Sequence, residues 1–177
     1  MRFMSAFSTL ALAALCMSCA SSKAPLPVVS SLELPKYLGS WYEIMRLPNS
    51  FESGLTCVMA HYSLKANGDL NVVNSGHPQN SKGTVKTATG TAWIPDHKEP
   101  AKLKVRFFWP FSGDYWIIAL DPNYQYAMVG APSREYLWIL SRTRSLPEAT
   151  LQTLLKQANE QGFDTSKLIR TEQDCLD

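Results

Sequence analysis

The sequence predicts an all-β protein: an eight-stranded antiparallel up-and-down β-barrel with one C-terminal α-helix packed on its outside. Eight short strand-like segments follow one another between residues 37 and 142, joined by short turns, whereas a parallel sheet would need helical connections. Gly39 and Trp41 lie at the first segment and Arg142 follows the last. Closure of the sheet would place the guanidinium on the indole face as a structural floor. A barrel closed at one end is a cup for a small ligand.

Strand and turn patterns place the β-elements in order along the chain. The sequences Asn-Gly-Asp at 67–69 and Asp-Pro-Asn at 121–123 carry residues typical of tight turns. Gly90 interrupts the long fourth segment and is expected to bend it. The fifth segment alternates apolar and cationic residues, which predicts that one of its faces lies in a core. The eight strands are predicted at residues 41–45, 57–64, 70–75, 84–94, 103–107, 115–120, 126–130 and 136–140.

A helix is predicted after the last strand of the barrel. Ser145 and Glu148 have the spacing of a capping box, and Gly162 is expected just past the helix end. A short strand at 167–171 then leads to the C-terminal tail. The apolar residues of the helix recur on one face, which should pack against the barrel: Leu151, Leu154, Leu155 and Ala158.

The N-terminus is predicted to be a processing segment. Residues 1–18 combine Arg2 with an apolar stretch too short to span a bilayer, which is typical of a secretory signal. Small residues surround Cys19, as at bacterial lipoprotein cleavage sites, where this thiol is lipidated; cleavage to a soluble form is the alternative. Residues 19–33 are predicted to be a tether and 34–177 the barrel domain. Ala20 after the cysteine favours the outer membrane in the lipoproteins that this segment resembles.

Composition and motifs argue against several classes of function. The formal net charge is +2 and is spread along the chain, so no basic cluster suggests a nucleic-acid partner. The sequence contains no G-x-S-x-G, P-loop or G-x-G-x-x-G motif. His61, His77 and His97 are isolated, without metal-ligand spacing, and His61 is expected on the surface. We therefore expect a protein that is not an enzyme and that uses neither a metal nor a cofactor.

Two cysteines remain once the signal segment is set aside. Cys57 and Cys175 are an even pair in an exported chain, which suggests a disulfide. The alternative is two free, buried thiols. A bridge between them would tie the C-terminal tail to the start of the second strand.

Three stretches of the chain resemble the signature motifs of the lipocalins, specifically the branch that contains apolipoprotein D and the bacterial lipocalins. They are Tyr-Leu-Gly-Ser-Trp-Tyr-Glu-Ile at 37–44, Ala-Leu-Asp with a following Tyr at 119–124, and Tyr-Leu-Trp-Ile-Leu-Ser-Arg-Thr at 136–143. The resemblance covers about residues 34–175. It implies the eight-stranded barrel with its C-terminal helix, and a disulfide similar to one in apolipoprotein D. It also implies a role in lipid transport, storage or scavenging at the cell envelope.

Strand parity predicts which side chains line the cup. If Trp41 and Arg142 point inward, every second residue along the neighbouring strands does so too. The predicted ligand-binding residues are Glu43, Met45, Ala60, Tyr62, Leu103, Val105, Phe107, Tyr115, Ile117, Trp138 and Leu140. This lining is aromatic and aliphatic and suits an acyl chain, with Tyr62 or Tyr115 bonding a headgroup near the mouth. Alternatively, these side chains fill the barrel and leave no cavity.

Two features of the predicted cup admit more than one interpretation. Glu43 would be a buried carboxylate, paired with a tyrosine or an arginine, or else in contact with a ligand headgroup or a cationic ligand. The aromatic sequence at 107–111 would form a loop at the open end. It would contact a membrane, gate the mouth or mediate homodimerisation, or else pack on itself.

The leading hypothesis is a lipid-anchored binding protein for fatty acids or lysophospholipids at the outer membrane. Its partners would be the lipid ligand and, through the N-terminal anchor, the membrane. The alternatives are a carrier of a rigid hydrophobic ligand such as a tetrapyrrole, sterol or quinone, a lipocalin-fold enzyme, and a filled barrel with an adhesive role.

Overall fold

Eight antiparallel strands close into a barrel in the computed structural model, which describes residues 24–79 and 83–175. The strands run up and down in chain order, as the sequence predicts. A short helix, α1 (Leu34–Tyr37), precedes the barrel, and a longer helix, α2 (Glu148–Glu160), follows it, with a 3₁₀ turn at Thr165–Lys167. The strands are β1 (Gly39–Arg46), β2 (Leu55–Leu64), β3 (Leu70–Pro78), β4 (Lys86–Trp93), β5 (Lys102–Phe108), β6 (Phe111–Leu120), β7 (Tyr126–Gly130), β8 (Leu137–Ser141) and β9 (Ile169–Arg170).

The barrel closes because β1 pairs along both of its edges. Its first half pairs with β2, with Trp41 opposite Ala60. Its second half pairs with β8, with Glu43 opposite Leu140. The predicted fold is therefore confirmed, and each strand has an inner and an outer face.

The floor of the barrel is the predicted contact between Trp41 and Arg142. The guanidinium carbon lies 3.8 Å from the centre of the indole ring. The same guanidinium donates hydrogen bonds to the backbone oxygens of Ser40 at 2.8 Å, Lys36 at 2.8 Å and Tyr124 at 3.2 Å. One side chain thus joins α1, β1 and the β6–β7 turn, because its planar fork of donors can reach three acceptors at once.

Gly39 begins β1 in a conformation that side chains disfavour. Its φ is +91°, and a Cβ there would lie 3.4 Å from Nη1 of Arg142. The glycine therefore permits both the turn into the strand and the close approach of the guanidinium.

Two apolar clusters divide the molecule into the inside and the outside of the barrel. The interior cluster includes Trp41, Leu70, Val72, Leu103, Ile117 and Val129. The outer cluster lies under α2 and includes Ile44, Met128, Ile139, Leu151, Leu154 and Phe163. The apolar stripe of α2 therefore packs on the outside of the barrel, as predicted.

A β-bulge in β1 reverses one of the predicted orientations. The register with β8 shifts between Glu43 and Met45, so that Met45 lies opposite Ile139 and packs against the outer cluster. Parity counted along an uninterrupted strand places Met45 inside, which is wrong. Arg46 returns to the inner face opposite Trp138, because the bulge adds one residue to the alternation.

The C-terminal tail lies between β1 and β2 where these strands separate. β9 pairs with Met45 and Arg46, and the side-chain amide of Gln173 donates to the backbone oxygens of Glu43 and Val58, each at 2.8 Å. The predicted disulfide between Cys57 and Cys175 is present and spans 118 residues. The tail thus fills the gap beside the upper half of β1.

Residues 24–33 pack on the barrel, although the sequence predicts a tether there. The side chain of Leu26 is buried in the outer cluster, and the amide of Val29 donates to the backbone oxygen of Ile117 at 3.0 Å. The apolar side chains of Leu26, Val28 and Val29 all pack against the barrel. This segment therefore crosses the outside of the barrel before it reaches α1. Residues 1–18 and Cys19 lie outside the described residues.

Helix α2 begins two residues later than a capping box from Ser145 would require. Its N-cap is Pro147, without a side-chain capping bond, and Glu148 is the first helical residue. The predicted box from Ser145 is therefore wrong, since proline fixes the start of the helix instead. The predicted end is correct, with Gly162 at a φ of +85°. Within residues 24–79 and 83–175, no helix has the length and apolar character needed to cross a membrane.

Arg142→Lys tests the floor contact. Lysine keeps the positive charge but loses the planar fork that reaches three carbonyls, so the free energy of unfolding should fall by about 2 kcal/mol. Urea denaturation measures this loss. Arg170→Lys, at an exposed site on β9, is the control and should change stability by less than about 0.5 kcal/mol. Equal losses in the two variants would show that charge alone holds the floor.

Candidate functional site

The interior of the barrel has a packed lower half and an accessible upper half. Toward the floor, inward side chains such as Trp41, Leu103 and Ile117 are fully buried. Other inward side chains retain accessible surface even though the barrel wall surrounds them. This set comprises Ala60, Asn74, Val105, Phe107, Tyr115 and Trp138. Because these side chains lie on the inner face of the wall, we take the lumen above the packed floor as the candidate binding cup.

Most of the predicted lining residues come together in this interior. Nine of them belong to the interior cluster or pack against it: Ala60, Tyr62, Leu103, Val105, Phe107, Tyr115, Ile117, Trp138 and Leu140. Glu43 also faces inward, since it lies opposite Leu140, whereas Met45 faces outward. Leu103, Ile117 and Leu140 lie in the packed lower half, so the accessible part of the predicted lining is smaller than the full set.

Three tyrosines form a hydrogen-bonded group between the floor and the cup. The hydroxyl of Tyr115 lies 2.7 Å from that of Tyr37 and 2.8 Å from that of Tyr62. This tyrosine triad has three hydroxyl protons, and the two hydrogen bonds use two of them. One proton and several lone pairs therefore remain available to another polar atom. Tyr115 is the member that keeps accessible surface.

Burial keeps the tyrosine triad uncharged. Desolvation raises the pKa of Tyr37, Tyr62 and Tyr115 well above the usual value. The sequence places Tyr62 near the mouth, but its register opposite Gly39 places it at the floor. The triad therefore offers neutral hydrogen bonds deep in the barrel, and not a headgroup contact at the rim. Tyr37 was missed as a lining residue because α1, which directs it upward, carries too few residues to show a periodic pattern.

A buried ionic cluster stands beside the upper part of β1. Arg46 donates through Nη1 to Oε1 of Glu43 at 2.6 Å and to the hydroxyl of Thr171 at 3.0 Å. Its Nη2 donates to the backbone oxygen of Glu52 at 2.9 Å. The hydroxyl of Thr171 donates in turn to Oε1 of Glu43. The arginine partner expected for Glu43 is therefore present, and the cluster joins β1, the β1–β2 loop and the tail.

The ionic cluster contains two carboxylates and one guanidinium. Burial, followed by the nearby Glu52 carboxylate, raises the pKa of Glu43 to about 7, although Arg46 and Thr171 oppose this rise. Oε2 of Glu43 has no hydrogen-bond partner among the described residues. Glu43 therefore carries a proton more readily than an ordinary carboxyl group, because burial away from water costs the neutral form less than the charged form.

Three aromatic rings connect the ionic cluster to the mouth. Trp138 donates from Nε1 to Oε2 of Glu52 at 3.0 Å, and its ring lies nearly parallel to that of Tyr136 at 5.9 Å. Phe51, on the β1–β2 loop, lies 6.1 Å from Tyr136 and 6.3 Å from Trp138. The predicted inward position of Trp138 is therefore held by a hydrogen bond that sequence parity does not reveal.

Other concave regions of the surface lack the character of a binding cup. Two depressions of about 340 Å³ lie on the outside, one beside Arg142 at the floor and one between α2 and β6. Within the described residues, no three His, Cys, Asp or Glu side chains are placed to share a metal ion. The lumen is therefore the site that the fold and the apolar lining both favour.

The pKa of Glu43 predicts a pH-dependent contribution to stability. Its folded value of about 7 exceeds the ordinary 4.5, so its contribution is fully present below pH 4.5 and is lost as the pH rises through 7. The Glu43→Gln variant has no ionisable group at this position, so it does not lose stability in this way as the pH rises. Thermal unfolding from pH 5 to pH 8 should therefore show the melting temperature of the variant rising relative to that of the native protein.

Glu160→Gln on the exposed end of α2 is the matched control for this titration. This substitution removes a carboxylate that is exposed, so it shows how the loss of one surface carboxylate affects the melting temperature over the same pH range. A constant offset for Glu43→Gln would show that Glu43 ionises no differently in the folded chain.

Comparisons with known proteins agree with the fold. The family described as a lipocalin-like domain matches residues 32–173. Outer membrane lipoprotein Blc of Escherichia coli K12 is 41% identical over 175 residues, which cover 98% of this chain and 98% of that protein. Apolipoprotein D of Macaca fascicularis is 39% identical over 155 residues, covering 84% of this chain and 80% of that protein.

A solved structure shows the same architecture. Insecticyanin from the tobacco hornworm Manduca sexta superposes with a TM-score of 0.68 at 24% identity, covering 85% of this chain and 86% of that one. At this identity the likeness concerns the fold alone. Together with the match over residues 32–173, the closed barrel and its C-terminal helix show that this chain belongs to the lipocalin family.

Proposed function

We propose that this lipocalin binds a single-chain lipid, a fatty acid or a lysophospholipid, in the upper half of its barrel. The observation that carries the proposal is the division of the interior. The floor is sealed by Trp41 and Arg142, while Val105, Phe107 and Trp138 present accessible apolar surface above it. A narrow apolar cup with a closed base accepts an acyl chain from the open end and shields it from water.

The chemistry of the cup suits an acyl chain better than a charged ligand. Burial of about fourteen methylenes contributes on the order of 10 kcal/mol before the entropy of binding is subtracted. The tyrosine triad is uncharged, and the inward carboxylate of Glu43 is already paired with Arg46. A polar headgroup is therefore best placed at the mouth, near the rings of Phe51 and Trp138.

We infer binding rather than catalysis as the role of the site. The lipocalin fold supports a binding function, and the inward polar groups serve as structural partners of one another. The tyrosine hydroxyls bond within their triad and the carboxylates of Glu43 and Glu52 bond to Arg46, Thr171 and Trp138. Lipid transport or storage at the envelope follows from this role.

We propose that lipidation of Cys19 anchors the protein in the outer membrane, facing the periplasm. Support comes from the relative named an outer membrane lipoprotein, whose match spans nearly the whole of both chains. The small residues around Cys19 and the apolar segment before it fit the same processing. Several buried acyl carbons, at about 0.8 kcal/mol each, would make such an anchor firm.

Ala60→Phe tests whether the cup holds the ligand. Ala60 faces the accessible lumen, so a phenyl ring there would occupy the space proposed for the acyl chain. Titration with a lysophospholipid, followed by Trp138 fluorescence and native mass spectrometry, should show at least a tenfold loss of affinity. The native protein should also release a co-purifying lipid on organic extraction, and visible absorbance would instead indicate a rigid pigment ligand.

Met59→Phe is the matched control, because Met59 precedes Ala60 on β2 and faces the opposite side of the sheet. It should bind the lysophospholipid as the native protein does. Equal affinities for all three proteins would contradict binding in the cup, provided that circular dichroism shows each variant folded.

Cys19→Ser tests the anchor in cells. Without the thiol, no acyl chain can be attached at this residue, so the protein should move from the membrane fraction to the soluble fraction. Cys16→Ser, inside the predicted signal segment, should leave the protein with the membranes. Continued sedimentation of Cys19→Ser with membranes would show that another feature holds the protein there.

A further inference from the structure

The two ends of the barrel differ sharply in their exposed apolar side chains. Among the described residues, eight large apolar side chains are exposed. Leu64 lies at the floor end, and Ile169 lies on β9. The other six lie on strand ends and loops around the mouth: Phe51, Val85, Phe108, Trp109, Phe111 and Tyr136. Apolar exposure concentrated on one face is typical of a surface that meets a partner.

The hairpin between β5 and β6 carries the most exposed of these side chains. Phe108 pairs with Phe111, so Trp109 and Pro110 form the tip of a tight turn. The exposed fractions are 79% for Phe108, 82% for Trp109 and 78% for Phe111. The sequence left open a loop packed on itself, which such exposure contradicts. This aromatic hairpin, Phe108–Phe111, lies at the open end of the barrel with its side chains exposed.

Turns at the floor end have the opposite character. The turn between β2 and β3 contains Lys65 and Asp69, and the connection from β4 to β5 contains Asp96, Lys98 and Glu99. These charged side chains favour water. Contact between a bilayer and the mouth of the barrel would therefore be far more favourable than contact between a bilayer and the floor.

The path of the N-terminal segment brings the predicted anchor to the same end. Arg134, in the loop between β7 and β8 at the mouth, donates from Nη2 to the backbone oxygen of Ala24 at 2.6 Å. From Ala24 the chain crosses the outside of the barrel toward α1 at the floor. Cys19 precedes Ala24 by five positions in the sequence, and five residues span at most about 18 Å. A lipidated Cys19 is therefore tied close to the mouth.

We propose that the open end of the barrel docks on the bilayer that holds the anchor. The aromatic hairpin inserts among the lipid headgroups and the mouth of the cup faces the membrane. This inference rests on the proposed anchor at Cys19. An indole ring that is largely exposed, as Trp109 is, suits the interfacial region, because its body is apolar and its N–H can bond to headgroups or water. A single-chain lipid would then pass between the bilayer and the cup without crossing open water.

Quenching of tryptophan fluorescence by brominated acyl chains tests this orientation. The full-length, membrane-bound protein is reconstituted into vesicles of phosphatidylethanolamine and phosphatidylglycerol, with and without bromine on the acyl chains. Bromine quenches only indoles that it contacts, so the difference between the native protein and Trp109→Phe isolates Trp109. We expect the quenched signal to fall at least twofold in Trp109→Phe.

Trp93→Phe is the matched control, since Trp93 ends β4 at the floor end. This variant should retain the full quenched signal. The docking proposal is overturned if Trp109→Phe is quenched as strongly as the native protein. It is also overturned if Trp109 is shielded in a detergent-stable dimer that Phe108→Ser/Phe111→Ser converts to monomers, because the hairpin would then bind a second copy of the chain.

Failure of docking can be told apart from failure of the proposed function. Flotation of the protein together with the vesicles shows that the protein is anchored, whatever the orientation of the barrel. Brominated lysophospholipid added to vesicles without bromine reports the cup, because a quenched signal that is lost in Trp138→Phe places that lipid inside it. An anchored and loaded protein in which Trp109 stays unquenched would refute docking alone.

Discussion

Pairing of β1 along both edges is the constraint on which the rest of the structure depends. With β2 on one side and β8 on the other, the sheet closes and every strand acquires an inner and an outer face. The inner faces meet over Trp41 at the floor, where Arg142 fixes three backbone segments at once. The outer faces of β6, β7 and β8 receive α2. Closure therefore produces both the packed floor and the walls of the cup.

The upper half of the barrel is held by polar contacts instead of by filling the lumen. β1 and β2 separate there, and the tail, the disulfide and the cluster around Arg46 occupy the gap from the side. A core packed with apolar side chains would give similar stability but would leave no space for a ligand. Burying Glu43 and Arg46 keeps these two charged side chains out of the accessible lining while the wall itself remains closed.

The sequence predicted the fold well because strand alternation, turn chemistry and the capped floor all specify the same closed barrel. The prediction of side-chain orientation failed where a local irregularity changes the alternation of inward and outward residues. One bulge in β1 turned Met45 outward and brought Arg46 inward. The ionic cluster was only partly visible, since Thr171 reaches Glu43 from 128 residues away and no local pattern encodes that contact. The packing of Leu26 was missed for the same reason, because an irregular segment carries no periodicity.

The central claim is that an acyl chain lies inside the upper half of the barrel. Nuclear Overhauser effects between a protonated lysophospholipid and a deuterated protein with methyl-labelled Val and Ile side chains test it most directly. The account predicts contacts from the acyl protons to Val105, whose side chain faces the lumen, and none to Ile118 or Ile139 beneath α2. Contacts to the outer methyl groups, with none to Val105, would place the lipid outside the barrel and contradict the account.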